Sequence, residues 1–144
     1  MLDIDNQTLV ELSNLEKLEE IALIVGQQKN IELLFVDEKT IQEINKIYRN
    51  QNKPTDVLSF PLDDMGIIDF LLGSIVICIP IAEKMAIKYG HTLEEEVALL
   101  FIHGILHLQG YDHEKDQGEH REAEKKWVEY FKLPSSLIVR AMEQ

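Results

Sequence analysis

Thr92-Leu93-Glu94-Glu95-Glu96-Val97-Ala98-Leu99-Leu100-Phe101-Ile102-His103-Gly104-Ile105-Leu106-His107-Leu108-Gln109-Gly110 is the stretch on which the reading of this chain turns. It opens on a Thr-x-x-Glu capping box, the pattern in which Thr92 and Glu95 satisfy each other's backbone N–H at a helix start. Val97, Leu100, Phe101, Ile105 and Leu108 then fall at core-type helical positions. Two histidines interrupt the apolar run. His103 and His107 stand at i and i+4, which puts both imidazoles on one helix face with Cβ atoms roughly 5–6 Å apart. Gly110 can take a left-handed conformation, end the helix and fold the chain back.

His113 lies beyond that glycine. On an unbroken helix it would sit about 240° around the axis from His107 and point elsewhere. A reversal at Gly110 lets it complete a three-histidine site. Three histidines and a water make the ligand set of a catalytic zinc, whereas a structural zinc normally has four protein ligands. A lone histidine on an apolar helix is ordinarily a hydrogen-bonded core residue. The combination of His103, His107 and His113 instead favours a metal site, with one Zn2+ per chain. His91 and His120 lack such partners and read as surface residues.

Outward from this helix the chain alternates strand and helix. Met1–Asp5, Ile31–Val36, Val57–Phe60 and Leu71–Ile79 are strand-like. Helical stretches are expected over Gln7–Val25, from the Thr40-Ile41-Gln42-Glu43 capping pattern to Asn50, from Pro80 to Gly90, over Gln117–Phe131 and over Pro134–Met142. The expectation is an α+β fold. Residues 1–144 form a single domain in which a small mixed sheet of about four strands packs with helices. The metal site lies on a helix and the turn after it. No repeat or linker divides the chain, and 144 residues suit one domain.

The composition, 45% hydrophobic and 28% charged, is that of a globular protein. The acidic start Met1-Leu2-Asp3-Ile4-Asp5 does not resemble an export signal. The apolar stretches are shorter than the ~20 residues that span a bilayer. A cytoplasmic protein without membrane association is expected. The lone Cys78, inside an apolar strand, reads as a buried thiol suited to a reducing compartment. A net charge of −12 argues against a general nucleic-acid binder. Between Ile44 and Thr55, however, the only charged residues are Lys46, Arg49 and Lys53.

The spacing H-x-x-x-H-x-x-G-x-x-H is shared with metzincin proteases, which carry a glutamate general base directly after the first histidine. Here that position is Gly104, which costs roughly 1 kcal/mol inside a helix. Close helix packing and room for substrate beside a metal are both compatible with it. Zinc can activate water near neutral pH and polarise a phosphoryl oxygen. Arg49 offers a planar fork matched to phosphate oxygens. Alternatively it is a surface cation at a helix end, favoured by the helix dipole.

His103-Gly104-Ile105-Leu106-His107-Leu108-Gln109-Gly110-Tyr111-Asp112-His113 resembles the H-G-x-L-H-L-x-G-Y-D-H motif of the YbeY family of bacterial endoribonucleases. Tyr48-Arg49, followed by Pro54-Thr55-Asp56-Val57-Leu58-Ser59-Phe60-Pro61, is similar to that family's Y-R…TDVLSFP segment. The resemblance implies a zinc-dependent, single-strand-specific endoribonuclease of ribosomal RNA maturation and ribosome quality control. His103, His107 and His113 carry over as metal ligands and Arg49 as the catalytic or substrate-binding arginine. Implied partners are ribosomal RNA, the small ribosomal subunit and proteins of ribosome assembly. The family usually has Leu-Gly-Asp-Ile where this chain has Leu72-Gly73-Ser74-Ile75, so a carboxylate is missing at Ser74. Two rival functions are a zinc metalloprotease drawing its base from elsewhere, such as Glu96, and a non-catalytic, zinc-containing ribosome assembly factor.

Overall fold

The computed structural model describes residues 1–61, 71–112 and 114–142. Four strands, β1 (Leu2–Asn6), β2 (Asn30–Val36), β3 (Val57–Pro61) and β4 (Leu71–Cys78), form one sheet in the order β1-β2-β4-β3. β1, β2 and β4 run parallel, and β3 pairs antiparallel with β4. The helices are α1 (Leu15–Ile24), α2 (Glu38–Arg49), α3 (Ile79–Tyr89), α4 (Leu93–Leu108), α5 (Glu119–Tyr130) and α6 (Ser136–Met142). This is the expected α+β fold with a small mixed sheet.

Strand periodicity sorts the core. Ile31, Leu33 and Phe35 of β2 and Ile75 and Ile77 of β4 face α1 and α4. The alternate residues Val36, Val76 and Cys78, with Leu58, face α2 through Ile41. On its far side α4 packs Leu99 against Val128 of α5 and Leu137 and Ala141 of α6. A helix apolar all round must be covered all round, and α4 is buried from Glu96 through Leu106.

Local chemistry departs from the sequence expectation at two helix starts. α1 begins at Leu15, not near Gln7, because Asn6 and Thr8 tie up the backbone first. The Thr8 N–H donates to Asn6 Oδ1 at 2.9 Å, a local bond that competes with helix. α2 begins before the Thr40 capping pattern, since Asp37 is its N-cap and accepts from the Thr40 N–H at 2.8 Å. The capping box at Thr92 and Glu95 is formed in full.

Gly104 is where α4 meets the sheet. A Cβ there would lie 3.0 Å from both Cδ1 and Cγ2 of Ile75. Close packing therefore accounts for this glycine. Gly104→Ala gains about 1 kcal/mol of helix propensity but overpacks a stiff, fully buried isoleucine at a typical cost of about 1–3 kcal/mol. A net loss of about 1 kcal/mol is expected in urea unfolding. An alanine variant as stable as the parent would show that Ile75 yields.

Candidate active site

The C-terminal half of α4 ends in a Schellman turn. Gly110, at φ +105°, lets its N–H donate to the His107 carbonyl at 3.0 Å and the Tyr111 N–H to the Leu106 carbonyl at 3.1 Å. A Cβ at Gly110 would meet nothing within 4 Å, so the demand for glycine there is conformational. Asp112 then caps the next turn, its Oδ1 accepting from the Glu114 N–H at 3.1 Å. His113 lies outside the described residues. Its neighbours Asp112 and Glu114 both line the cleft into which His103 and His107 open.

That cleft has a volume of about 490 Å³. α4 supplies His103 and His107, and the last turn of α2 supplies the exposed Arg49. Lys53 and Lys88 add positive charge along its walls. Buried Asn45 of α2 steadies the loop after Arg49 by donating its Nδ2–H to the Lys53 carbonyl at 2.9 Å. Among the described residues, then, the cleft gathers Arg49, Lys53, Lys88 and the ion-paired Arg140 around two histidines, with Asp56, Asp112 and Glu114 also on its lining.

Behind His103 stands a layer the sequence reading missed. His103 Nδ1 hydrogen-bonds Glu124 Oε1, and the His120 ring stacks on His103 with centroids 4.3 Å apart. His120 Nε2 lies 3.2 Å from both the His103 carbonyl and Glu124 Oε1. His120 and Glu124 are fully buried. The surface reading of His120 is thus corrected: α5 lays this residue against α4. The available signal was that His120 and Glu124 share the i, i+4 spacing of the α4 histidines. His91 is corrected likewise. Its side chain is buried, with Nε2 2.7 Å from Glu96 Oε1 and Nδ1 3.0 Å from Ser136 Oγ.

Glu96 does not open onto the cleft. It is fully buried, and its second oxygen accepts from Arg140 Nε at 3.0 Å, which leaves the metalloprotease reading without that base. Arg140 also donates Nη2–H to Asp56 Oδ2 at 2.5 Å. Burial works against its charge, but Glu96 and Asp56 outweigh this and hold the guanidinium above its ordinary pKa. Ser74 donates Oγ–H to Glu32 Oε2 at 3.1 Å on β2. By strand alternation it faces away from α4, so the departure at Ser74 falls on the other side of the sheet from the histidines. Cys78 is fully buried, and desolvation pushes its thiol up to about 11.

His103, His120 and Glu124 form a group that could hold a metal ion. Their donors already hydrogen-bond one another, however. An ion with ligands at about 2.0–2.2 Å would force His103 Nδ1 and Glu124 Oε1 apart. The donor set fits a metal better if Glu124 acts as the carboxylate that orients His103. His103 would then offer Nε2 to an ion on the cleft side. In that arrangement His103 carries its proton on Nδ1. Long-range ¹H–¹⁵N spectra of metal-free protein at mildly alkaline pH should show this tautomer for His103, with Nδ1 losing its proton preference in Glu124→Ala. An Nε2-protonated His103 in the parent would show that Glu124 does not set the ring.

The fold, the histidine helix and the cleft belong to a recognisable class. The family model described as Endoribonuclease YbeY matches residues 3–132. A protein named Endoribonuclease YbeY from Helicobacter pylori strain Shi470 is 52% identical over 143 residues, covering 99% of this chain and 100% of that protein. One of the same name from Campylobacter jejuni is 54% identical over 125 residues, covering 87% and 92%. The solution structure of TM1509 from Thermotoga maritima is 33% identical, with a TM-score of 0.62 over 99% of this chain and 93% of that one. This chain belongs to the YbeY family.

Proposed function

We propose that residues 1–144 act as one metallohydrolase domain, a zinc-dependent, single-strand-specific endoribonuclease of ribosomal RNA maturation and ribosome quality control. One Zn2+ per chain would be held by His103, His107 and His113, and Arg49 is the catalytic residue that takes the phosphate. Ribosomal RNA on the small ribosomal subunit is the substrate, met in the cytoplasm alongside proteins of ribosome assembly. The observation that carries this reading is the shared cleft, to which α2 brings Arg49 and α4 brings His103 and His107. The names of the relatives support the same reaction class.

A zinc ion in this position supplies Lewis acidity for phosphodiester cleavage. The remaining work falls to the chain. Arg49, exposed at the end of α2, can hold two phosphate oxygens at once and neutralise the charge that builds up in the transition state. Lys53 and Lys88 draw the RNA backbone into a cleft on an otherwise acidic surface. RNA brings its own 2′-hydroxyl, which lessens the need for a protein base beside His103, where Gly104 stands. Glu124 holds His103 in the orientation that faces the cleft.

The test is single-turnover cleavage of a short unstructured RNA, run beside casein and with or without chelator. RNA should be cut and casein spared, and chelator should abolish the cut. Arg49→Ala should lower the rate about 10²–10³-fold, with zinc content and melting temperature kept. Arg49→Lys should recover part of the loss, because an ammonium keeps the charge without the fork. An Arg49→Ala variant as fast as the parent would remove Arg49 from the mechanism. Separately, His107→Ala should lose most of the bound zinc. Parent protein should also release zinc as pH falls, since ligand imidazoles must be neutral. A variant that keeps its full zinc content would refute the ligand assignment.

A further inference from the structure

Arg140 stands on α6, outside the residues 3–132 that the family model matches. It is only 3% exposed, yet it lines the cleft. Its two ion pairs reach two different elements, one of them behind the cleft and one on its lining. Glu96, 3.0 Å away, is on α4, the helix of His103 and His107. Asp56, 2.5 Å away, ends the loop that enters β3. That loop carries Lys53 and Thr55, which also line the cleft. The Asp56 carbonyl accepts from the Cys78 N–H at 2.9 Å, so this point of the loop is tied to β4 as well. Tyr89 covers the guanidinium from α3, its ring centroid 5.8 Å away.

Two carboxylates neutralise one guanidinium, so Arg140 presents little net charge to a phosphate. Nor is burial of the pair an easy source of stability, because desolvation offsets much of the attraction between buried ions. What the geometry does supply is a fixed spacing between α4 and the β3 loop. We propose, on the reading of this cleft as an RNA site, that Arg140 is a positioning residue for substrate binding, setting the width of the cleft by bridging Glu96 to Asp56. Arg140 acts through Asp56 and touches no reacting atom. Its loss should therefore weaken the hold on RNA more than the chemical step.

The experiment is steady-state cleavage of the short RNA by zinc-loaded parent, Arg140→Met, Arg140→Lys, Asp56→Asn and the Arg140→Met/Asp56→Asn double variant. Assays are run well below each melting temperature. KM should rise about tenfold in Arg140→Met, with kcat held within about twofold and zinc content unchanged. Arg140→Lys, able to reach one carboxylate but not hold both in a plane, should fall between. The double variant should be no worse than the worse single variant, because both changes break one bridge. A KM equal to the parent's in Arg140→Met would reduce Arg140 to a stability element and overturn the proposal. Additive KM effects in the double variant, or a fall in kcat at constant KM, would overturn it too. Should Arg140→Met fail to fold, Asp56→Asn alone decides. It keeps the Arg140–Glu96 pair and must still raise KM, and an unchanged KM refutes the bridge. If the parent itself cuts no RNA, the functional reading fails first and the proposal with it.

Discussion

A helix buried on every side can carry polar groups only where a neighbour answers them, because an unpaired polar group in a dry interior costs free energy. α4 carries several. Glu96 and His103 lie among apolar residues that run without a break from Val97 to Ile102 and on to Leu106. The rest of the molecule is arranged around that demand. α5 approaches with Glu124 and His120 for His103, and α6 approaches with Arg140 for Glu96. The capping box at Thr92 serves the helix start and the Schellman turn at Gly110 its end. Two of the side chains that make α4 tolerable in the core, Glu124 and His120, also hold His103 in place. Stability and site geometry therefore rest on one set of contacts.

Parts of this were legible in the sequence because they depend on near neighbours. The capping box needs only residues three apart, and the pairing of His103 with His107 needs only the helical repeat. Gly110 is tied to the turn by its backbone alone. The strands were recoverable in part because β4 is buried on both faces from Ile75 to Cys78 and reads there as an unbroken apolar run. What escaped depends on tertiary contact. The i, i+4 spacing of His120 and Glu124 marks them as a pair, but nothing local says that α5 will press that pair onto His103. Asp56 and Arg140 are 84 residues apart, and no local pattern joins them. The start of α1 was misjudged because Asn6 and Thr8 satisfy backbone groups that an amphipathic reading assigns to a helix. Gly104 kept two readings in the sequence. Only the position of Ile75 on β4 separates them.

Charge is distributed with a purpose that the total conceals. A net −12 repels polyanions at long range, yet Arg49, Lys53 and Lys88 meet at one cleft. At short range, where salt screening leaves local charges dominant over distant ones, a polyanion meets those cations together with the cleft carboxylates Asp56, Asp112 and Glu114. On the proposed reading, such a surface confines RNA contact to the cleft.

Cys78 ends β4 with its side chain wholly enclosed between the sheet and α2. Its thiol, pushed up to about 11, remains protonated at neutral pH, and the protonated form neither attacks nor is readily oxidised. Oxidants and alkylating reagents reach this sulfur only after the sheet has parted from α2. The chain thus carries a native clock for its own opening: the rate at which Cys78 becomes modifiable measures how often the interior is exposed, with no label added.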